Sequence, residues 1–184
     1  MKRICTLITL CALLFLSACG KNATETRWES FSDELSAAES LGFTAELRAE
    51  YEDKSLCFTL QYEQRGDVGT VTVIAPEELR GVRTTTREGG RDLEYYGFVI
   101  DTGRLDEELT PVSALPALAE AMCGAYADCF WHEGDCAVVR LIASDALSIT
   151  LWLDEMSFTP RHAELESGGR VRVFCDIWDW HSGD

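Results

Sequence analysis

Cys129, His132 and Cys136 form the tightest grouping of chemically capable side chains in the chain, spaced C-x2-H-x3-C within "DCFWHEGDC" and flanked by Glu133 and Asp135. Two thiolates and an imidazole are ligands that suit zinc. Only three ligands cluster, which favours a Cys129–Cys136 disulfide closing a small loop, or free thiols, with no metal assigned. The three histidines, His132, His162 and His181, sit in no nucleophile motif. There is no G-x-S-x-G, no H-E-x-x-H and no glycine-rich phosphate loop. Carboxylate pairs are abundant because the chain is acidic, so they single out no acid–base couple. The sequence therefore assigns no catalytic residue and no cofactor, and the protein is expected not to be an enzyme. In "DIWDWH", Trp178 and Trp180 are expected on one face of a strand end, covering a core at the sheet edge in preference to forming a binding platform.

One further thiol stands apart. Lys2 and Arg3 precede an uncharged run from Ile4 to Ala18, which ends in Leu16, Ser17, Ala18 and Cys19. A basic start, a short apolar core and small residues at its end describe an export leader. The run is shorter than the ~20 residues a membrane-spanning helix needs. Leu16-Ser17-Ala18-Cys19 resembles a bacterial lipobox. That resemblance implies that Cys19 receives a diacylglyceryl group, that cleavage removes residues 1–18, and that further acylation, palmitate for example, completes the anchor. Residues 19–25 are then a lipidated tether on the outer side of a cell membrane.

Cleavage there would remove two of the 16 basic residues and none of the 32 acidic ones, leaving a net charge of 14 − 32 = −18. Such a surface repels nucleic acid, anionic headgroups and anionic wall polymers, and leaves a basic or neutral partner as the better match. A hydrophobic fraction of 46% is enough for a real core. Cys57, Cys123, Cys129, Cys136 and Cys175 remain, an odd number, and the sequence leaves their pairing open.

These groups must be positioned by a mixed α and β scaffold occupying 26–184. Thr26 and Glu29 fit a capping box, and Trp28, Phe31, Leu35 and Ala38 share a helical face, so a helix is expected over 27–41, stopped by Gly42. The period then changes to two. Phe43, Ala45, Leu47, Ala49 and Tyr51 alternate with Thr44, Glu46, Arg48 and Glu50, and Leu56, Phe58, Leu60 and Tyr62 repeat the pattern. With "VGTVTVIA" these runs form an antiparallel meander. Two strands are expected around Gly89-Gly90. A second helix is expected over 112–127, with Pro116 in its first turn and Leu115, Leu118, Ala119, Met122 and Tyr126 on one stripe. Residues 128–136 read as a loop, followed by strands near 136–143, 146–154, 160–167 and 170–179. The fold class is α+β with a large antiparallel sheet.

The order of these elements, with "FTAELRAEYEDKSLCFTLQY", "VTVIAPEELRGV" and "LWLDEMSFTPRHAEL", resembles the LolA/LolB-like lipoprotein superfamily and, within it, the sporulation and germination lipoproteins of the GerS type. The resemblance covers about 26–180. It implies a curved, incomplete β-barrel with helices in its concave side. Phe43, Leu47, Tyr51, Leu56, Phe58 and Leu60 would then line either a lipid cavity or a packed core. Carrier members bind acyl chains in the hollow, whereas germination-type members present the same fold to a protein partner. Cys19 fits a fixed scaffold for an envelope protein better than a shuttle. Binding or transfer of a lipid or acylated protein is the alternative.

Overall fold

The computed structural model describes residues 23–51, 54–87, 90–95, 98–103 and 109–183. The leader and Cys19 lie outside these residues. Helix α1 (Ala23–Ala37) is followed by strands β1 (Ser40–Tyr51), β2 (Lys54–Arg65) and β3 (Val68–Ala75), and a 3-10 turn at Glu77–Leu79. Strands β4 (Arg83–Arg87), β5 (Gly90–Tyr95) and β6 (Phe98–Gly103) precede helix α2 (Pro111–Gly124). Strands β7 (Tyr126–Glu133), β8 (Cys136–Ile142), β9 (Leu147–Asp154), β10 (Pro160–Ser167) and β11 (Arg170–Gly183) complete the chain.

All eleven strands form one antiparallel sheet in the order β6-β5-β4-β3-β2-β1-β11-β10-β9-β8-β7. Two meanders thus join along β1 and β11, the first and last strands, which are also two of the longest. Strands β6 and β7 are neighbours in sequence yet sit at opposite ends of the sheet. The chain between them has to cross the sheet, and α2 lies in that crossing, touching β2, β3 and β8. Connectivity alone therefore puts a helix on one face of an open, curved sheet.

Period two decides which residues meet that helix. Phe43, Ala45, Leu47 and Ala49 of β1 are buried while Glu46, Arg48 and Glu50 are exposed. Leu60, Val71, Leu141, Ile149, Leu151, Leu165 and Val173 continue the inner face across the sheet. From α2, Leu115, Leu118, Ala119 and Met122 are fully buried in the same cluster. Thr110 caps α2, its hydroxyl accepting from the Ser113 amide at 3.3 Å while Ser113 Oγ accepts from the Thr110 amide at 2.8 Å. That reciprocal pair satisfies two helix-end donors.

Several boundaries differ from the sequence expectation. Helix α1 already includes Ala23, so Thr26 is interior, and its carbonyl accepts from Ser30 Oγ at 3.2 Å. Gly42 does not end the helix; it lies inside β1, where a Cβ would come within 2.4 Å of the His181 ring across the strand. Pro116 is in the body of α2, because Pro111 already occupies the first turn. Tyr126 leaves the α2 stripe and is 68% exposed in β7. The expected loop at 128–136 is largely strand, with Gly134 and Asp135 forming the turn to β8. A register shift between Ala127 and Cys129 breaks the alternation there, which hides the strand from a period count.

Candidate functional site

Among the described residues, side chains that could recognise or transform something lie on the concave face, on the convex face, and at the end of the sheet where α1 meets β7.

On the concave face, Phe43, Leu47 and Leu60 are at most 1% exposed. Register pairs Leu60 with Ala45, Phe58 with Leu47 and Leu56 with Ala49, so all share the inner face. Burial falls along that row. Phe58 is partly buried, and Leu56 and Tyr51, nearest the β1–β2 connection, are 40% and 43% exposed. The six expected residues are thus brought to one hairpin, half of them inside the core and two at its open end.

An aromatic chain ties α1 to this face. Trp28 meets Phe31 at 5.6 Å, Phe31 stacks on Trp180 at 6.0 Å, Trp180 on Phe43 at 5.5 Å, and Phe43 meets Tyr62 at 5.3 Å. Trp180 reaches the inner face through a bulge. Gly42 pairs with His181 but Thr44 with Trp178, so β11 carries one extra residue, and Asp179 takes a left-handed φ of 53°. Trp178 therefore points to the convex side, 40% exposed, and Trp180 to the concave side. The two tryptophans do not share a face. Desolvation in this core pushes the Tyr62 phenol up to about 12, with Cys123 and Glu120 adding to the shift, while its hydroxyl donates to Gln64 at 2.9 Å.

The convex face carries a row set by register: Trp131 opposite Val138, Val138 opposite Trp152, Trp152 opposite His162, and His162 opposite Asp176. Glu133 accepts from the indole N–H of Trp131 at 2.6 Å and of Trp152 at 2.9 Å, and those bonds hold its carboxyl below the ordinary range. His162 Nδ1 lies 2.7 Å from Asp176. Arg161 bridges Asp135, at 2.8 Å, and Asp154. These contacts pin strands together across an exposed surface, where each ion pair adds little stability.

The C-x2-H-x3-C grouping does not converge. Cys129 pairs across the sheet with Arg140 and faces the convex side, while His132 pairs with Ala137 and faces the concave side. Four strand positions separate Cys129 from the Glu133–Cys136 rung, about 13 Å at ~3.3 Å per residue, too far for a disulfide between Cys129 and Cys136. Cys57, Cys123, Cys129, Cys136 and Cys175 all carry free thiols. Among the described residues no three His, Cys, Asp or Glu side chains gather to hold a metal ion. Nor does the hydroxyl–imidazole–carboxylate sequence at Thr24, His132 and Glu155 make a catalytic triad. Thr24 Oγ1 lies 3.2 Å from His132 Nε2, but Glu155 is 4.0 Å from His132 Nδ1 and Thr24 is 8% exposed. A nucleophile needs a base that an orienting group holds within hydrogen-bond reach. The Thr24–His132 contact instead ties the start of α1 to β7.

Beside that tie runs a groove of about 530 Å³ between α1 and β7. Glu25, Glu29 and Asp33 of α1 form one wall; Trp28, Phe130 and Tyr126 supply aromatic surface. The sequence does not mark this region, because the bulge in β7 makes residues 128–136 read as a loop. The available signal was the spacing of the three acids, which places them on one stripe of the helix.

No protein-family model and no curated protein matches the sequence. Solved structures do match the fold. A conserved protein from Thermus thermophilus has a TM-score of 0.51 at 8% identity, over 86% of this chain and 87% of its own. A DUF1329 family protein from Desulfovibrio piger also has a TM-score of 0.51 at 8% identity, over 88% and 94%. A LolA superfamily protein from Nitrosomonas europaea has a TM-score of 0.47 at 14% identity, over 88% and 94%. The open curved antiparallel sheet with helices on its concave side is the α+β architecture expected from the sequence, and the two structures with a TM-score of 0.51 share it. At these identities the likeness concerns fold alone.

Proposed function

We propose that the protein is a membrane-anchored extracytoplasmic lipoprotein, lipidated at Cys19, that acts as a non-catalytic scaffold for an envelope protein partner in sporulation, germination or wall modification. The observation that carries this reading is the filling of the concave face. Phe43, Leu47 and Leu60, which a carrier would turn toward an acyl chain, belong to one buried cluster with Leu115, Leu118 and Met122. A carrier would have to displace α2 to admit a chain, and each buried leucine exposed costs about 1.5–3 kcal/mol. The anchor supports the same reading, since two or more acyl chains hold a protein stably at one membrane.

The open end of the concave face, where Leu56 and Tyr51 reach solvent, supports the second reading, binding of a lipid or acylated protein. Native mass spectrometry of protein expressed without its anchor separates the two. The scaffold reading expects only the apoprotein mass; a stoichiometric acyl ligand would establish the carrier. For the anchor, Cys19→Ala is expected to free the protein from membranes and abolish labelling by palmitate. A Cys19→Ala protein that still sediments with membranes would refute the lipidation site.

A further inference from the structure

Strand β7 ends the sheet. Among the described residues it pairs only with β8, so its other edge offers unpaired backbone groups. Helix α1 lies alongside that edge. At one end Thr24 meets His132, and at the other Ser32 and Ser36 donate to the Cys123 carbonyl at 3.1 and 2.8 Å, just before β7 begins. Twelve helical residues and six strand residues span about 18 and 20 Å, so the two elements run side by side and antiparallel.

The wall that α1 presents has a fixed repeat. Glu25, Glu29 and Asp33 are four residues apart, about 6 Å per step along the helix. Alternate residues of an extended strand are about 6.7 Å apart. Among the described residues no cation pairs with Glu25 or Asp33; Arg27 instead donates to the carbonyls of Glu155 and Met156. The partly buried Phe130 and the 68% exposed Tyr126 provide flat surface for the stems of long basic side chains, over the buried Trp28.

We infer that the β7 edge and the α1 groove together dock an extended segment of a protein partner that carries Lys or Arg at alternate positions. The segment adds a strand to β7, and its basic side chains, all on the concave side, match the three carboxylates rung for rung. Charge complementarity selects it, since the chain as a whole has 32 acidic against 16 basic residues. The inference rests on the partner-binding reading and gives that partner a chemistry and a location.

The test uses full-length lipoprotein in non-ionic detergent and an acetylated, amidated peptide of four Lys-Val repeats, followed by calorimetry and amide exchange. Saturable binding is expected, with slowed exchange along β7. The triple variant Glu25→Gln, Glu29→Gln, Asp33→Asn is expected to bind roughly tenfold more weakly, as is a peptide N-methylated at alternate residues. A control triple variant, Glu46→Gln, Asp67→Asn, Asp145→Asn, removes as many exposed charges elsewhere and is expected to bind as the wild type does. Absence of saturable binding, equal loss in both triple variants, or protection of β7 by self-association seen in sedimentation would each overturn the docking site. A natural partner captured equally by the wild type and the α1 triple variant would also overturn it, while leaving the scaffold reading intact.

Discussion

Phe31 is the joint through which α1 is held to the sheet, and it permits a quantitative test of the packing. Its ring contacts Trp28 at 5.6 Å, Phe158 edge-on at 5.8 Å and Trp180 stacked at 6.0 Å. Replacing it with Leu keeps most of the apolar volume but removes three aromatic pairs, each contributing about 0.5–1.5 kcal/mol beyond area burial. Leucine recovers part of that through dispersion, so Phe31→Leu is expected to cost about 2 kcal/mol. The decisive quantity is the coupling to Trp180, measured by urea unfolding of wild type, Phe31→Leu, Trp180→Leu and the double variant. One of the three pairs is shared, which gives an expected interaction energy of about 0.5–1.5 kcal/mol, above the few tenths at which separate sites add. Additive losses would mean that Trp180 and α1 do not meet, and that the bulge at Asp179 does not turn the indole inward.

Four further outcomes follow from particular contacts and exposures. Asp179→Gly is expected to be nearly neutral, because glycine adopts φ of 53° without strain, whereas Asp179→Val is expected to cost at least ~1–2 kcal/mol and to expose Trp180 to quenching by iodide. Arg161→Gln is expected to raise the carboxyl pKa of Asp135 more than that of Asp154, read by NMR titration, because the Arg161 hydrogen bond dominates at Asp135 while Ser157 dominates at Asp154; equal shifts would contradict this assignment. Burial holds Tyr62 and Cys175 protonated up to about 12, so the folded state binds more protons than the unfolded state above the ordinary pKa of each group. Their contribution to stability is complete at neutral pH and falls as pH rises through about 9 for the thiol and about 10 for the phenol toward 12. In the native protein at pH 8, Cys57 and Cys129 are expected to react quickly with a disulfide reagent and Cys175 only after unfolding; rapid modification of Cys175 would refute its burial.

The sequence by itself determined the alternating strands and the fold class. In "FTAELRAEY" every second residue is apolar, and a pleated strand with one wet face is the geometry that satisfies such a run. Phe43, Leu47 and Leu60 were legible as interior for the same reason. Three things were decided only in the folded chain. A bulge at Asp179 moves Trp180 to the face opposite Trp178, and a second in β7 disguises that strand, because an inserted residue reverses the side-chain alternation without changing composition. Cys129 and His132, close in sequence, fall on opposite faces of the sheet. The groove of Glu25, Glu29, Asp33, Phe130 and Tyr126 joins residues about a hundred positions apart. Local periodicity carries no information about which strand ends the sheet or which helix lies beside it. That pairing depends on α2 crossing the concave face and on the whole core closing at once.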